Sequence, residues 1–173
     1  LPCCYALGLA LLILALCRPQ RGLSESRVKT SAVDIVLTVD VSTSMRAEDF
    51  ATMTQRHLNR LDAAKEVIRQ FILDRPNDRI GLIAFSALPY TVSPLALDHA
   101  WLVSRLEDLR TGMLEDGTAI GDAIASAVNR LRNSEAKSKI TVLLTDGMHN
   151  VGKLTPDNAA EAARALGIKV YTV

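Results

Sequence analysis

The chain has 173 residues, 49% hydrophobic and only 4% aromatic, with a formal charge of +1. Residues 1–32 carry Arg18, Arg21, Arg27 and Lys29 against Glu25, which leaves 16 basic and 18 acidic side chains in residues 33–173. A mildly acidic domain of this size, without a basic patch or an aromatic series, argues against nucleic acid as a partner.

The chain opens on an apolar run. Leu1 to Cys17 contains no charged residue, and its length sits at the short limit of a membrane-spanning helix, which needs roughly 17–25 such residues. A buried core helix and a cleaved signal peptide are the alternatives. The first has nothing obvious to pack against, and the second lacks a basic start and a small-x-small cleavage site. Residues 1–17 are therefore expected to be a transmembrane helix. The run begins at Leu1 rather than at a Met, so further residues are expected before it. Cys3, Cys4 and Cys17 all lie in this run. The rest of the chain then offers no disulfide framework, no cysteine-based zinc site and no thiol nucleophile. Residues 18–32 read as a polar juxtamembrane linker, and residues 33–173 as the folded domain.

Val33–Asp40 is β-branched and nearly continuous in hydrophobicity, the pattern of a buried parallel strand. Asp40, Ser42 and Ser44 follow at alternate positions. In an extended loop they would point the same way, at the strand edge where open α/β sheets bind ligands. Three small oxygen donors suit Mg²⁺ or another hard divalent ion. A Ser/Thr-rich turn closing a strand accounts for this segment equally well.

Further along, Leu58 to Leu73 puts Leu58, Leu61, Ala64, Val67, Ile68, Phe71 and Ile72 on one helical stripe. Arg79–Ser86 is the next strand, and Tyr90–Ser93, ahead of Pro94, is a short edge strand. Asp98 is placed to cap a helix carrying Leu102, Leu106 and Leu109, and Thr118 to cap one carrying Ile120, Ile124, Ala127, Val128 and Leu131. Lys139 to Gly147 is a buried strand ending in Asp146-Gly147. Thr155-Pro156 starts an Ala-rich helix that Gly167 ends, with Pro just inside the start and Gly just past the end. Ile168–Val173 is a last strand. The alternation predicts a doubly wound, mostly parallel central sheet with helices on both faces.

Together, the Asp40-x-Ser42-x-Ser44 loop, the Asp116-Gly117-Thr118 helix start and the strand-end Asp146 resemble the von Willebrand factor A (VWA) domain and its metal-ion-dependent adhesion site. The chain is more closely similar to membrane-anchored bacterial VWA proteins of the aerotolerance (Bat) type. That likeness runs through 33–50, Asn59–Lys65, Asp78–Leu82, Glu115–Ala123 and Ala136–Lys139.

The resemblance implies a Rossmann-like VWA fold whose last helix lies beyond Val173. It also implies one divalent cation, Mg²⁺ or else Mn²⁺ or Ca²⁺, held by Asp40, Ser42, Ser44, Thr118 and Asp146. Ser42 and Ser44 would bind directly, with Asp40 and Asp146 acting largely through waters or through the other ligands. A protein partner would supply an Asp or Glu to the ion. Its docking rim would comprise residues 42–46, 113–118 and 146–150. Further membrane proteins of the same system are candidate partners. The location implied is the bacterial inner membrane, with the domain in the periplasm. Thr43 stands where the family usually has Gly, which should stiffen the loop without removing a ligand.

Each proposed ligand also has an ordinary role. Thr118 is a helix cap, Asp122 a complement to the helix dipole, and Asp146-Gly147 a turn. Glu48, Asp49, Glu115 and Asp116 add carboxylates nearby and read as solvated loop residues. No catalytic site is expected: G-x-S-x-G and Walker glycine patterns are absent, and His57, His99 and His149 lack metal spacing. The enzymatic alternative is a Mg-dependent phosphotransferase with Asp40 as nucleophile. Haloacid-dehalogenase-like sites of that kind want a second carboxylate two residues on, where this chain has Ser42.

Overall fold

The computed structural model describes residues 32–51 and 57–173. The expected membrane helix at 1–17 and nearly all of the linker lie outside the described residues. Among the described residues, no helix is long and apolar enough to cross a membrane.

Five strands form one sheet in the order β5-β4-β1-β6-β7: β1 (Val33–Asp40), β4 (Arg79–Phe85), β5 (Pro89–Ala96), β6 (Ser138–Leu144) and β7 (Ile168–Thr172). All pairings are parallel except β4 with β5. A second, two-stranded antiparallel sheet pairs β2 (Phe50–Ala51) with β3 (His57–Leu58). β1 is central and covered on both faces, which is why its apolar run is continuous rather than alternating.

Ile35, Leu37 and Val39 point to one face, where α1 (Arg60–Leu73) and α2 (His99–Glu107) contribute Leu61, Ile68, Ile72, Leu102 and Leu106. Val36 points to the other, with Ala123, Ile124, Ala127 and Leu131 of α3 (Ile120–Leu131) and Ala159 and Ala163 of α4 (Pro156–Ala165). Full burial of a Leu or Ile side chain contributes about 1.5–3 kcal/mol, so the two faces together outweigh the weak intrinsic stability of short helices. The even positions of β1 are mixed. Asp34, Thr38 and Asp40 are buried beside Val36, and each is hydrogen-bonded: Asp34 to Arg79 and Ser134, Thr38 to Thr141, and Asp40 to the loops beyond the strand.

Several local details differ from the sequence pattern. The α1 stripe includes Lys65 rather than Val67: Val67 is 65% exposed, whereas Lys65 is buried and its Nζ donates to Glu107 O at 3.2 Å. An ammonium group there meets a carbonyl at the end of α2, where the helix dipole favours positive charge. The edge strand runs from Pro89 through Pro94 to Ala96, with register shifts against Ile80, Leu82 and Ile83. Proline is tolerated because an edge position needs no second ladder bond. Asp98 and Thr155 cap their helices as expected, accepting from Trp101 N and Asn158 N.

Candidate metal centre

Three loops leave the carboxyl edge of the sheet side by side, because Asp40 is level with Phe85 in β4 and Val39 with Leu144 in β6. The loop after β1 is not extended. Ser42 has extended backbone angles, and a 3-10 turn then covers Thr43–Arg46, with Met45 buried beneath it. Residues 40, 42 and 44 thus converge through the turn, not through strand-like alternation. Asp40 fixes its start: the carboxylate is fully buried, Oδ1 accepts from Ser42 N at 2.9 Å and Oδ2 from Thr145 Oγ1 at 2.6 Å.

The hydroxyls form a directed chain. Ser44 Oγ donates to Asp146 Oδ1 at 2.9 Å and lies 2.8 Å from Ser42 Oγ. A hydroxyl has a single proton, so Ser42 is the donor of that second bond. Asp146 Oδ2 accepts from Arg60 Nη1 at 2.5 Å, and Arg60 also binds Asp49 through Nε and Nη2.

Thr118 does not cap α3. Ala119 occupies that position without a side-chain cap bond. Thr118 is instead held by its backbone: its N donates to Asn150 Oδ1 at 2.8 Å, and its O accepts from Asn150 N at 3.2 Å. Ser86, just past β4, secures the same segment. Its Oγ donates to Gly117 O and its carbonyl accepts from Ala119 N, both at 2.8 Å. Gly147 leaves room beside Thr118, since a Cβ at 147 would stand 3.1 Å from Thr118 Oγ1. Asp122 accepts from Lys153 N and Leu154 N, pinning the loop that follows residue 150.

Ser42, Ser44 and Thr118 line one cavity of about 180 Å³, together with Thr43, Asp116, Gly117, Gly147, Met148 and Asn150. Asp40 and Asp146 stand behind these hydroxyls. Asp116 is fastened to the rim by Thr43, whose N donates at 3.1 Å and whose Oγ1 lies 2.9 Å from both carboxylate oxygens. Those bonds, the backbone one first, hold its carboxyl below the usual Asp range. Thr43 therefore stiffens the loop by clasping a neighbouring one.

All five expected residues thus meet at one place. Hard oxygen donors around a cavity with room for an ion and several waters fit a divalent cation of the Mg²⁺ class. Asp49 belongs to the Arg60 pair. His99 is structural, with Nε2 3.0 Å from Asp78 O. Thr145, Ser86 and Arg60 were not expected at the site, whereas Asn150 falls within the expected docking rim. A hydroxyl one residue beyond a strand carries no distinctive sequence signal.

A doubly wound sheet with this loop set at its carboxyl edge defines an α/β domain with a candidate ligand site at the strand ends. The chain belongs to the von Willebrand factor type A domain family, whose model matches residues 34–173. It is 34% identical over 167 residues to an uncharacterized protein of Borreliella burgdorferi, covering 96% of this chain and 48% of that protein. Among solved structures it resembles an aerotolerance-related membrane protein of Bacteroides fragilis. The TM-score is 0.69 at 29% identity, over 82% of this chain and 66% of that one. BatB of Bacteroides thetaiotaomicron gives a TM-score of 0.69 at 30% identity, over 82% and 65%. The chain spans about half the length of the curated relatives it matches.

Proposed function

We propose that this chain is a membrane-anchored, divalent-metal-dependent protein-binding module. The observation that carries the reading is the layering of the site. Three hydroxyl oxygens, from Ser42, Ser44 and Thr118, line the cavity, while the Asp40 and Asp146 carboxylates behind them are already hydrogen-bonded. These five residues would hold Mg²⁺, or Mn²⁺ or Ca²⁺, with the hydroxyls in direct contact. When bound, the ion supplies a hard-acid position for a carboxylate oxygen. Asp40 shapes the loop through Ser42 N, and Asp146 orients Ser44. A partner protein's Asp or Glu is the matching ligand.

A nucleophilic Asp40 finds no support, since its carboxylate is fully buried and both oxygens are engaged. Two solved structures that this chain resembles are described as membrane proteins, which supports membrane association. The proposal puts the anchor at residues 1–17 in the bacterial inner membrane, with the domain facing the periplasm. The test is co-purification of membrane partners with wild type, Thr118→Ala and Asp146→Ala, with and without EDTA. Partners lost on chelation and in both variants are the expected result. Identical partners throughout would overturn the adhesion mechanism.

A further inference from the structure

Arg60 is the first residue of α1, and its backbone N donates to Ala47 O at 3.0 Å, tying the helix start to the loop that carries Ser42 and Ser44. A cation in the first turn opposes the helix dipole, which favours negative charge there. Helix stability therefore does not account for this arginine, and its contacts do. The Nε edge of the guanidinium is taken by Asp49, through bonds of 3.0 and 2.9 Å and a further one from Nη2. Its remaining nitrogen, Nη1, reaches Asp146 Oδ2 at 2.5 Å. The planar fork thus has a fixed orientation, with one edge as anchor and the other as working contact.

Asp146 is divided in the same way. Oδ1 faces the Ser42–Ser44 hydroxyl chain and Oδ2 faces Arg60, with the side chain only 15% exposed. On the metal-binding reading above, a carboxylate free of Arg60 could turn an oxygen to the ion, take one coordination position and neutralise part of its charge. We propose that Arg60 is a positioning residue for the metal centre: by holding Asp146 Oδ2 it keeps that carboxylate behind Ser44, preserving an open, electrophilic position for a partner's carboxylate. Asp49 is its anchor. The arrangement gives up metal affinity for ligand affinity, because the carboxylate bonded to Ser44 is already paired with Arg60.

The test uses Mn²⁺ as the probe and the full-length protein. Mn²⁺ affinity is measured by titration, and Mn²⁺-bound exchangeable waters are counted by proton relaxation. Arg60→Ala should bind Mn²⁺ about tenfold more tightly, equivalent to roughly 1.4 kcal/mol, and with one water fewer than wild type. Arg60→Lys, which keeps a cationic donor for Asp146, should stay within about twofold of wild type. In an Asp146→Asn background, Arg60→Ala should change neither affinity nor water count. An equal tightening with and without Asp146 would overturn the proposal, since Arg60 would then act only as a distant charge. An unchanged water count in Arg60→Ala would also overturn it. Should Arg60→Ala fail to fold, Asp49→Asn, which frees the anchor edge, should shift the water count in the same direction, and no shift would count against the proposal. Absence of Mn²⁺ binding by wild type would instead overturn the metal-binding reading itself.

Discussion

Thr118 and Asn150 hold each other by two reciprocal hydrogen bonds: Thr118 N to Asn150 Oδ1 at 2.8 Å and Asn150 N to Thr118 O at 3.2 Å. They lie 32 residues apart. The pair joins the loop before α3 to the loop after β6, and so sets where the Thr118 hydroxyl stands relative to Ser42 and Ser44.

Asn150→Ala should therefore leave the fold intact but loosen the centre. The part-buried Thr118 N–H loses its acceptor, which costs about 1–3 kcal/mol. Thermal unfolding should show a modest loss of stability without metal, and a metal-induced rise in Tm smaller than that of wild type. An unchanged metal response would mean that Thr118 is positioned by other contacts.

Ser42→Ala with Ser44→Ala removes two hydroxyls and the donor to Asp146 Oδ1. A ligand that binds only the folded state raises stability by mass action. Mg²⁺ or Mn²⁺ should accordingly raise the Tm of wild type and not that of the double variant, whose circular dichroism should remain that of an α/β domain. An equal rise in both would remove these serines from the site.

Asp116 makes a pH-dependent contribution. Thr43 donates to its carboxylate and holds its folded pKa below the ordinary Asp value. The sign follows from linkage: a depressed carboxyl stabilises the fold above its unfolded pKa, and that stabilisation is lost as pH falls through the folded value. Thr43→Val removes the hydroxyl donor. Urea unfolding should find the variant less stable than wild type at neutral pH, with the difference closing below about pH 4. A gap of constant size down to low pH would place the role of Thr43 elsewhere.

Gly121 is packed directly against the loop that Asp122 pins. A Cβ at 121 would fall 2.0 Å from Leu154 O, a clash with backbone that no rotamer relieves. Gly121→Ala should cost about 3 kcal/mol or somewhat more, at the upper end of overpacking effects. The loss is to be read from chemical denaturation. A stability within 1 kcal/mol of wild type, roughly the scale of an ordinary substitution, would show that the 151–154 loop moves freely aside.

Much of the scaffold is legible in the sequence. β1, β4 and β6 announce themselves because strands covered on both faces need apolar residues at nearly every position. Asp98 and Thr155-Pro156 mark helix starts because orphan N–H groups there need an acceptor within three residues. The five candidate-site residues were named from their spacing and their resemblance to a family, and the fold brings them to one edge of the sheet. What failed was local geometry: Thr118 read as a cap, Val67 as buried and residues 40–44 as extended. Propensity does not register that Asn150, Lys65's reach to Glu107 O and a buried Met45 alter those choices.

The sequence by itself determined which segments become strands and helices, because burial period and capping are local properties. It also determined which oxygen-bearing side chains stand at the carboxyl ends of strands. Only the tertiary structure decided how they are wired. Thr145 reaches Asp40 across 105 residues, Ser44 reaches Asp146 across 102, and Arg60 reaches Asp146 across 86. These contacts exist because parallel pairing sets β1 level with β4 and β6. A hydrogen bond requires its partners within about 3 Å, and that proximity is a property of sheet register, not of any stretch of sequence.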